Sequence, residues 1–295
     1  MGCVVTHATS PVGAGDHHRI AEHAASHRWF QLVQEALMHL APWSPDLAHL
    51  IAPLFSSDCP IPIRLWAVLE GTITGRIVVD QVPQPTLALV QEVTEGTTYL
   101  GGTPTRQTLT AAITLLRTTH KVVVCLWPDD PVRSILPDAP SYDGSAIDFT
   151  DRSPAVKLDR LGAVPAGYHL RRIDAAIVPT LEGFDYYVAM FGSIGRALEH
   201  TLGYCLLHGE AVVCEAIAGP LMRGVAEVGI GTAQPYRRRG FGTITAARTI
   251  QACEARGYQA FWNAAQQNVA SVALARRLGF QTERPFRVLA WASVP

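Results

Sequence analysis

The residues from Pro235 to Thr243, Pro-Tyr-Arg-Arg-Arg-Gly-Phe-Gly-Thr, combine positive charge with backbone freedom. Arg237, Gly240 and Gly242 make an R-x-x-G-x-G loop, with Arg238, Arg239 and Phe241 inside it. An apolar segment that reads as a strand, Val225 to Thr232, leads in, and a helix-like run follows at once. Two residues without a Cβ let the backbone approach a ligand closely. A helix that begins there points its unpaired N–H groups at whatever sits in the loop. The chemistry this invites is capture of a diphosphate. A basic turn ahead of an ordinary surface helix is the other reading, and the nonapeptide alone does not separate the two.

The next segment does. Tyr258 to Asn263 reads as a strand and is followed by Asn268-Val-Ala-Ser271, a helical run and Leu278-Gly279-Phe280. The order strand, R-x-x-G-x-G, helix, strand, N-x-x-S, helix, L-G-F, strand resembles the GNAT superfamily of acyl-CoA-dependent N-acyltransferases. More narrowly, Trp262 to Ser271 with Leu274 to Phe280 is similar to the zwittermicin A resistance type of acetyltransferase. Gly75 to Asp80, Tyr99 to Thr103 and Pro165 to Asp174 are similar to that group as well. The resemblance runs from about Phe30 to the end and is sharpest in the C-terminal segment.

The resemblance implies an α/β (α+β) GNAT fold, a mixed central sheet flanked by helices. It implies acetyl-CoA as cosubstrate and no metal. Arg237, Arg238, Arg239, Gly240, Phe241, Gly242 and Thr243 would hold the pyrophosphate, mostly through backbone N–H groups. Ile230, Gly231 and Thr232 would offer backbone groups to the pantetheine. Asn268 and Ser271 would contact the cofactor arm or cap their helix; as a capping pair they need no ligand. Many family members place a tyrosine seven residues after that asparagine, where it can protonate the leaving thiolate. Here that position is Ala275.

An amine with a pKa near 10.4 is only about one part in 2,500 neutral at pH 7, so a base is useful. Glu227 is the candidate: it is the one acidic residue on the motif strand and shares a face with Gly229 and Gly231. A salt-bridged strand glutamate is the alternative. The function expected is acetyl transfer to the amine of a small molecule, an antibiotic or a metabolite. A CoA-binding module without catalysis, and an acyltransferase on tRNA or protein amines, are the competing readings.

Charged residues make up 17% of the 295 residues and the hydrophobic class 48%, a globular composition rather than a disordered one. From Leu221 to Pro295 the charged side chains are ten arginines and three glutamates, a net of +7 in a chain whose total is −1. That asymmetry suits an anionic ligand. Nucleic acid fits less well, because no RNP, zinc-finger or helix-turn-helix signature accompanies the arginines. The six cysteines show no C-x-x-C spacing, and the histidines at 7, 17, 18, 23 and 27 follow no ligand pattern. No apolar run approaches the roughly 20 residues of a membrane helix. Met1-Gly2-Cys3 matches a myristoylation pattern, but a short leader is expected there. The cytoplasm is the expected location, and a homodimer is compatible with the family.

Trp29 to Leu40 has helical periodicity. Ile63 to Glu70, Arg76 to Val82, Leu87 to Val93 and Thr97 to Leu100 read as strands, and Thr103-Pro104 opens a helix. Lys121 to Leu126 reads as a buried strand. Residues 127–166, rich in Pro, Asp, Gly and Ser, read as a connection. Leu181 to Thr201 then looks helical ahead of a second sheet. The expected organisation is a flexible leader over 1–27, a degenerate GNAT-like domain over 28–126, the connection over 127–166, and a catalytic GNAT domain over 167–295. The first of these domains has Gly101-Gly102-Thr103 where the second has its arginine loop. A single continuous α/β domain is the other organisation the pattern allows.

Overall fold

The computed structural model describes residues 38–294. The leader and nearly all of the Trp29–Leu40 segment lie outside the described residues; at its end, His39–Ala41 is a strand, β1. The N-terminal half continues with α1 (Pro45–Ile51), α2 (Pro62–Leu69), β2 (Gly75–Val79), β3 (Leu87–Glu92), β4 (Thr97–Gly102), α3 (Arg106–Arg117) and β5 (Val122–Leu126). The expected strand at Ile63–Glu70 is therefore corrected to a helix. Ile63, Leu65, Ala67 and Leu69 alternate as a strand would, but Val68 is buried with them, and Leu65, Val68 and Leu69 fall on one helical face. Pro62 starts the helix, where a missing N–H costs nothing.

The stretch read as a connection holds an 11-residue strand, β6 (Tyr142–Arg152). Its Asp, Ser and Gly residues look like loop, yet Ala146, Ile147 and Phe149 are buried, and Asp148 is buried with partners. The C-terminal half is β7 (Tyr168–Arg172), α4 (Phe184–Phe191), α5 (Ile194–His200), β8 (Leu202–His208), β9 (Ala211–Met222), β10 (Val225–Thr232), α6 (Phe241–Glu254), β11 (Gln259–Ala265), α7 (Val269–Arg277) and β12 (Phe280–Trp291).

The twelve strands of the described residues join one mixed sheet in the order β1-β2-β3-β4-β5-β12-β6-β11-β10-β9-β8-β7. The halves repeat one pattern. Strands β2, β3 and β4 are antiparallel, α3 follows, and β5 lies parallel to β4. Strands β8, β9 and β10 are antiparallel, α6 follows, and β11 lies parallel to β10. The last strand, β12, pairs with both β5 and β6 and so ties the halves together. One apolar core lies beneath α6 and α7, with Ala246, Ile250, Trp262 and Ala275. Another fills the space between the halves, with Leu65, Phe184 and Phe261. No helix among the described residues is long and apolar enough to cross a membrane.

Candidate active site

The two parallel strands β10 and β11 pair only at their beginnings: Val225 with Gln259, Ala226 with Ala260, Glu227 with Phe261. Beyond that point β10 runs on with β9 alone and β11 with β6. The β9–β10 register shifts between Ala226 and Val228, where β9 carries the extra residue and Gly219 and Pro220 stand against Glu227 alone. The strands part at Glu227, and Val228–Thr232 keep one edge without a strand partner. An extended ligand that adds hydrogen bonds to such an edge meets a backbone already set for it. Glu227, Gly229 and Gly231 share one face; a Cβ on Gly229 would stand 2.9 Å from the Tyr187 hydroxyl oxygen.

The strand delivers the chain to the arginine loop at the open end of this gap. Arg238 (φ 60) and Gly240 (φ 83) are both left-handed, which turns the backbone sharply into α6. Gly240 is the N-cap and supplies no side-chain cap. The first bond onto the cap is from Ile244 N–H to Gly240 O, at 3.2 Å, so the N–H groups of Phe241, Gly242 and Thr243 precede the helical ladder. A Cβ on Gly240 would meet nothing within 4 Å. These N–H groups face an open cleft of about 810 Å³ between the loop and α7, lined among others by Ile230, Gly231, Thr232, Arg237, Arg238, Thr243, Asn268 and Ser271. Uncapped donors at a helix start, facing an open cleft, fit a diphosphate.

The arginines divide the work. Arg237 Nε donates to Thr232 O at 3.0 Å and braces the loop. Arg239 donates to the Tyr168 hydroxyl at 3.3 Å and lies 5.7 Å from the Tyr236 ring centre. Arg238 lines the cleft. Asn268 is the N-cap of α7, its Oδ1 accepting from Ser271 N–H at 3.2 Å. Ser271 Oγ accepts from Trp262 Nε1 at 3.0 Å. The N-x-x-S pair thus shapes the wall of the cleft with its own bonds made. Ala275 is fully buried in the core under α7.

On the far face of the sheet, both oxygens of Glu227 accept from Arg64 on α2: Nε to Oε2 at 2.8 Å and Nη2 to Oε1 at 2.7 Å. Arg64 also lies 3.8 Å from Glu92. Burial works against the charge on Glu92, but Arg64 and the donors of Thr94 and Thr97 hold it below the ordinary glutamate value. Beyond Phe261, the first side chain on the same face of β11 is Asn263. Its amide donates to Asp148 Oδ1 at 2.7 Å, and Ile61 N–H donates to Asp148 Oδ2 at 2.9 Å. Burial pushes Asp148 up to about 6; the two donors oppose the rise, and the charge of Glu227 adds to it.

The structure brings the residues expected at the cofactor loop around one cleft, except Arg239, whose side chain turns away to Tyr168 and Tyr236, and it places Glu227 where the strands divide. Sequence reasoning missed Arg64, Asp148 and Tyr187. Arg64 and Glu227 are 163 positions apart, and Asp148 lies in the stretch read as a connection. The only signal for Asp148 was a carboxylate within an Ala-Ile-Asp-Phe run, which a solvated loop does not need.

In the N-terminal half the equivalent place is closed. Thr105 and Thr108 cap α3 reciprocally. A Cβ on Gly101 would stand 2.8 Å from Phe55, and Gly102 lies against Thr86. Helix α3 thus has the side-chain cap that α6 lacks and no open loop before it.

The model of the GNAT acetyltransferase family matches residues 63–289. An uncharacterized N-acetyltransferase, YdfB of Bacillus subtilis (strain 168), is 32% identical over 127 residues, which are 42% of this chain and 49% of that protein. The match spans about half the length of that curated relative. A GCN5-related N-acetyltransferase-like protein from Streptococcus suis superposes with a TM-score of 0.62 at 24% identity, over 82% of this chain and 98% of its own. A tandem GNAT protein from the clavulanic acid biosynthesis pathway gives 0.58 at 13%, over 88% and 99%. The divided strands, the uncapped helix start between them and the family match over most of the chain lead to one conclusion: the chain belongs to the GNAT acetyltransferase family.

Proposed function

We propose that the protein transfers an acetyl group from acetyl-CoA to the amine of a small molecule, within the zwittermicin A resistance-type group of the family. The observation that carries this is the uncapped start of α6, which faces an open cleft where β10 leaves β11. Backbone N–H groups from Arg238 to Thr243 hold the diphosphate. Each charge-assisted bond of that kind contributes about 1.5–3 kcal/mol, against about 0.3–1 for the helix dipole. The free edge of Val228–Thr232 holds the pantetheine. Bound acetyl-CoA supplies the electrophile, a thioester carbonyl.

The acceptor reaches that carbonyl from the opposite face, between the halves. Each oxygen of Glu227 accepts one bond from Arg64. The carboxylate is thus bound in a two-point pair, so we assign it a positioning role: it fixes the guanidinium where the strands divide. The Tyr187 hydroxyl, which donates to Ile217 O at 3.3 Å, stands over Gly229 on the acceptor face.

A non-catalytic CoA-binding module is the second reading. It is favoured by Ala275, which packs in the core where many relatives carry a tyrosine. The deciding experiment is calorimetry with acetyl-CoA, followed by detection of free thiol released in the presence of a panel of primary amines. Binding with amine-dependent thiol release supports catalysis. Binding without release across the panel supports the module. No binding removes both.

A further inference from the structure

Below the point where β10 and β11 part, a partly open slot of about 260 Å³ lies between the two halves. Trp66 from α2 and Trp127 from the end of β5 contribute to its walls, with Ile63, Met222, Val225 and Phe261 completing an apolar lining. Asp148 also lines the slot and is only 3% exposed. Its oxygens each accept one hydrogen bond and keep a further lone pair apiece. Through Asn263 it is bonded to the first arm of β11 beyond the last pairing with β10. Asp148 thus joins the slot to the divided strands.

The charge in and around the slot selects the sign of the ligand. Arg223 lies 4.0 Å over the Trp66 ring and is bonded to Glu70 at 2.6 Å. Arg284 lies 3.8 Å over the Trp127 ring and is bonded to Asp58 at 2.7 Å. Each guanidinium thus has a carboxylate partner of its own. The carboxylates left over are Asp148 and Asp151. Indole walls favour flat rings and tolerate cations against their faces, and an unpaired buried carboxylate favours a cation.

We propose that this slot holds the ring-bearing body of the acceptor, an aromatic primary amine, with its ammonium group on Asp148. The proposal rests on the amine-acetylation reading above and narrows its substrate class. The slot sets the orientation: an aromatic body among the indoles places the nitrogen at Asp148, next to Asn263 and the divided strands.

The test uses the full chain and three probes: tryptamine, ethanolamine as an amine without a ring, and indole-3-propionate as a ring with the opposite charge. Binding is read by calorimetry, and free-thiol release is read in parallel with acetyl-CoA. Tryptamine should bind at least about tenfold, or about 1.4 kcal/mol, more tightly than either other probe. Trp66→Ala, which opens the slot, and Val225→Trp, which fills it, should each weaken tryptamine by at least about tenfold, as should Asp148→Asn. All three variants should keep wild-type affinity for acetyl-CoA. If Trp66→Ala does not fold, the filling variant decides. Equal binding of tryptamine and ethanolamine, or tryptamine affinity unchanged in Val225→Trp and Asp148→Asn, overturns the proposal. Acetyl-CoA binding with thiol release from other amines in that case leaves the acetyltransferase reading standing. Tryptamine bound in the slot with no affinity for acetyl-CoA keeps the site and removes the acetyltransferase reading.

Discussion

Replacing Gly240 by aspartate puts one carboxylate where the diphosphate should lie and changes little else. The new Cβ meets nothing within 4 Å, so no neighbour must move. The backbone at φ 83 is left-handed, which costs most residues about 1–2 kcal/mol and aspartate less. That strain is present with and without ligand, so it lowers stability slightly and leaves affinity alone. The charge acts on affinity. If the carboxylate draws two N–H groups from the ligand, the loss is at least about 3 kcal/mol at about 1.5 per charge-assisted bond. Repulsion adds to this: two unit charges about 4 Å apart interact by about 4 kcal/mol at an effective dielectric of 20. A loss of at least about 100-fold in acetyl-CoA affinity follows. Gly240→Ala carries the same Cβ and strain without the charge, and should stay within about fivefold of wild type. Calorimetry gives the affinities, and circular dichroism shows whether α6 survives. A Gly240→Asp affinity within about threefold of wild type, in a folded protein, would refute diphosphate capture at this helix start.

Three further outcomes are expected. One acetyl-CoA should bind per chain, because Thr105 caps α3 and Phe55 fills the place beside Gly101; a calorimetric stoichiometry of two would show that the N-terminal half keeps a working site. Glu227→Gln should lower the melting temperature, because it breaks a largely buried pair; the cost stays below the about 3–5 kcal/mol of a fully broken pair, since Glu92 remains 3.8 Å from Arg64. Its kcat/KM should keep the acid limb of the wild-type pH profile, and disappearance of that limb would make Glu227 the base after all. Asp148 is pushed up to about 6, so it carries its charge above that pH and loses it below. The affinity of a cationic amine should therefore fall as the pH drops through about 6, and Asp148→Asn should flatten the curve. Glu227, Arg284, Cys59 and Cys125 are the other groups that face it; the two thiols are pushed up to about 12 and stay neutral throughout. The stability sign is opposite to that of an ordinary ion-paired aspartate. A raised carboxyl in the folded state favours the folded form below the unfolded value near 4, and that contribution is lost as the pH rises through about 6.

The candidate cofactor side was legible in the sequence because it is local. A strand, a loop with glycines at fixed offsets and a helix start follow one another from Val225 to Thr243, and together with Asn268 and Ser271 they carry the resemblance that implied one cofactor cleft. The repeat of strands and helix in the two halves was legible for the same reason: period and turn residues are properties of short segments. The segments that failed are those whose surroundings decide. The alternation in Ile63–Leu69 suits a strand, but this segment is buried as a helix between the halves. The polar residues of Tyr142–Arg152 suit a loop until β11 and β12 supply partners on both edges. The proposed acceptor side belongs entirely to tertiary structure. Arg64 meets Glu227, and Trp66 and Trp127 meet Asp148 and Phe261, only because β12 and the shared core bring the halves together. Backbone donors at a helix start are fixed by the chain next to them, whereas a buried carboxylate takes its charge, its partners and its use from whatever the fold packs around it.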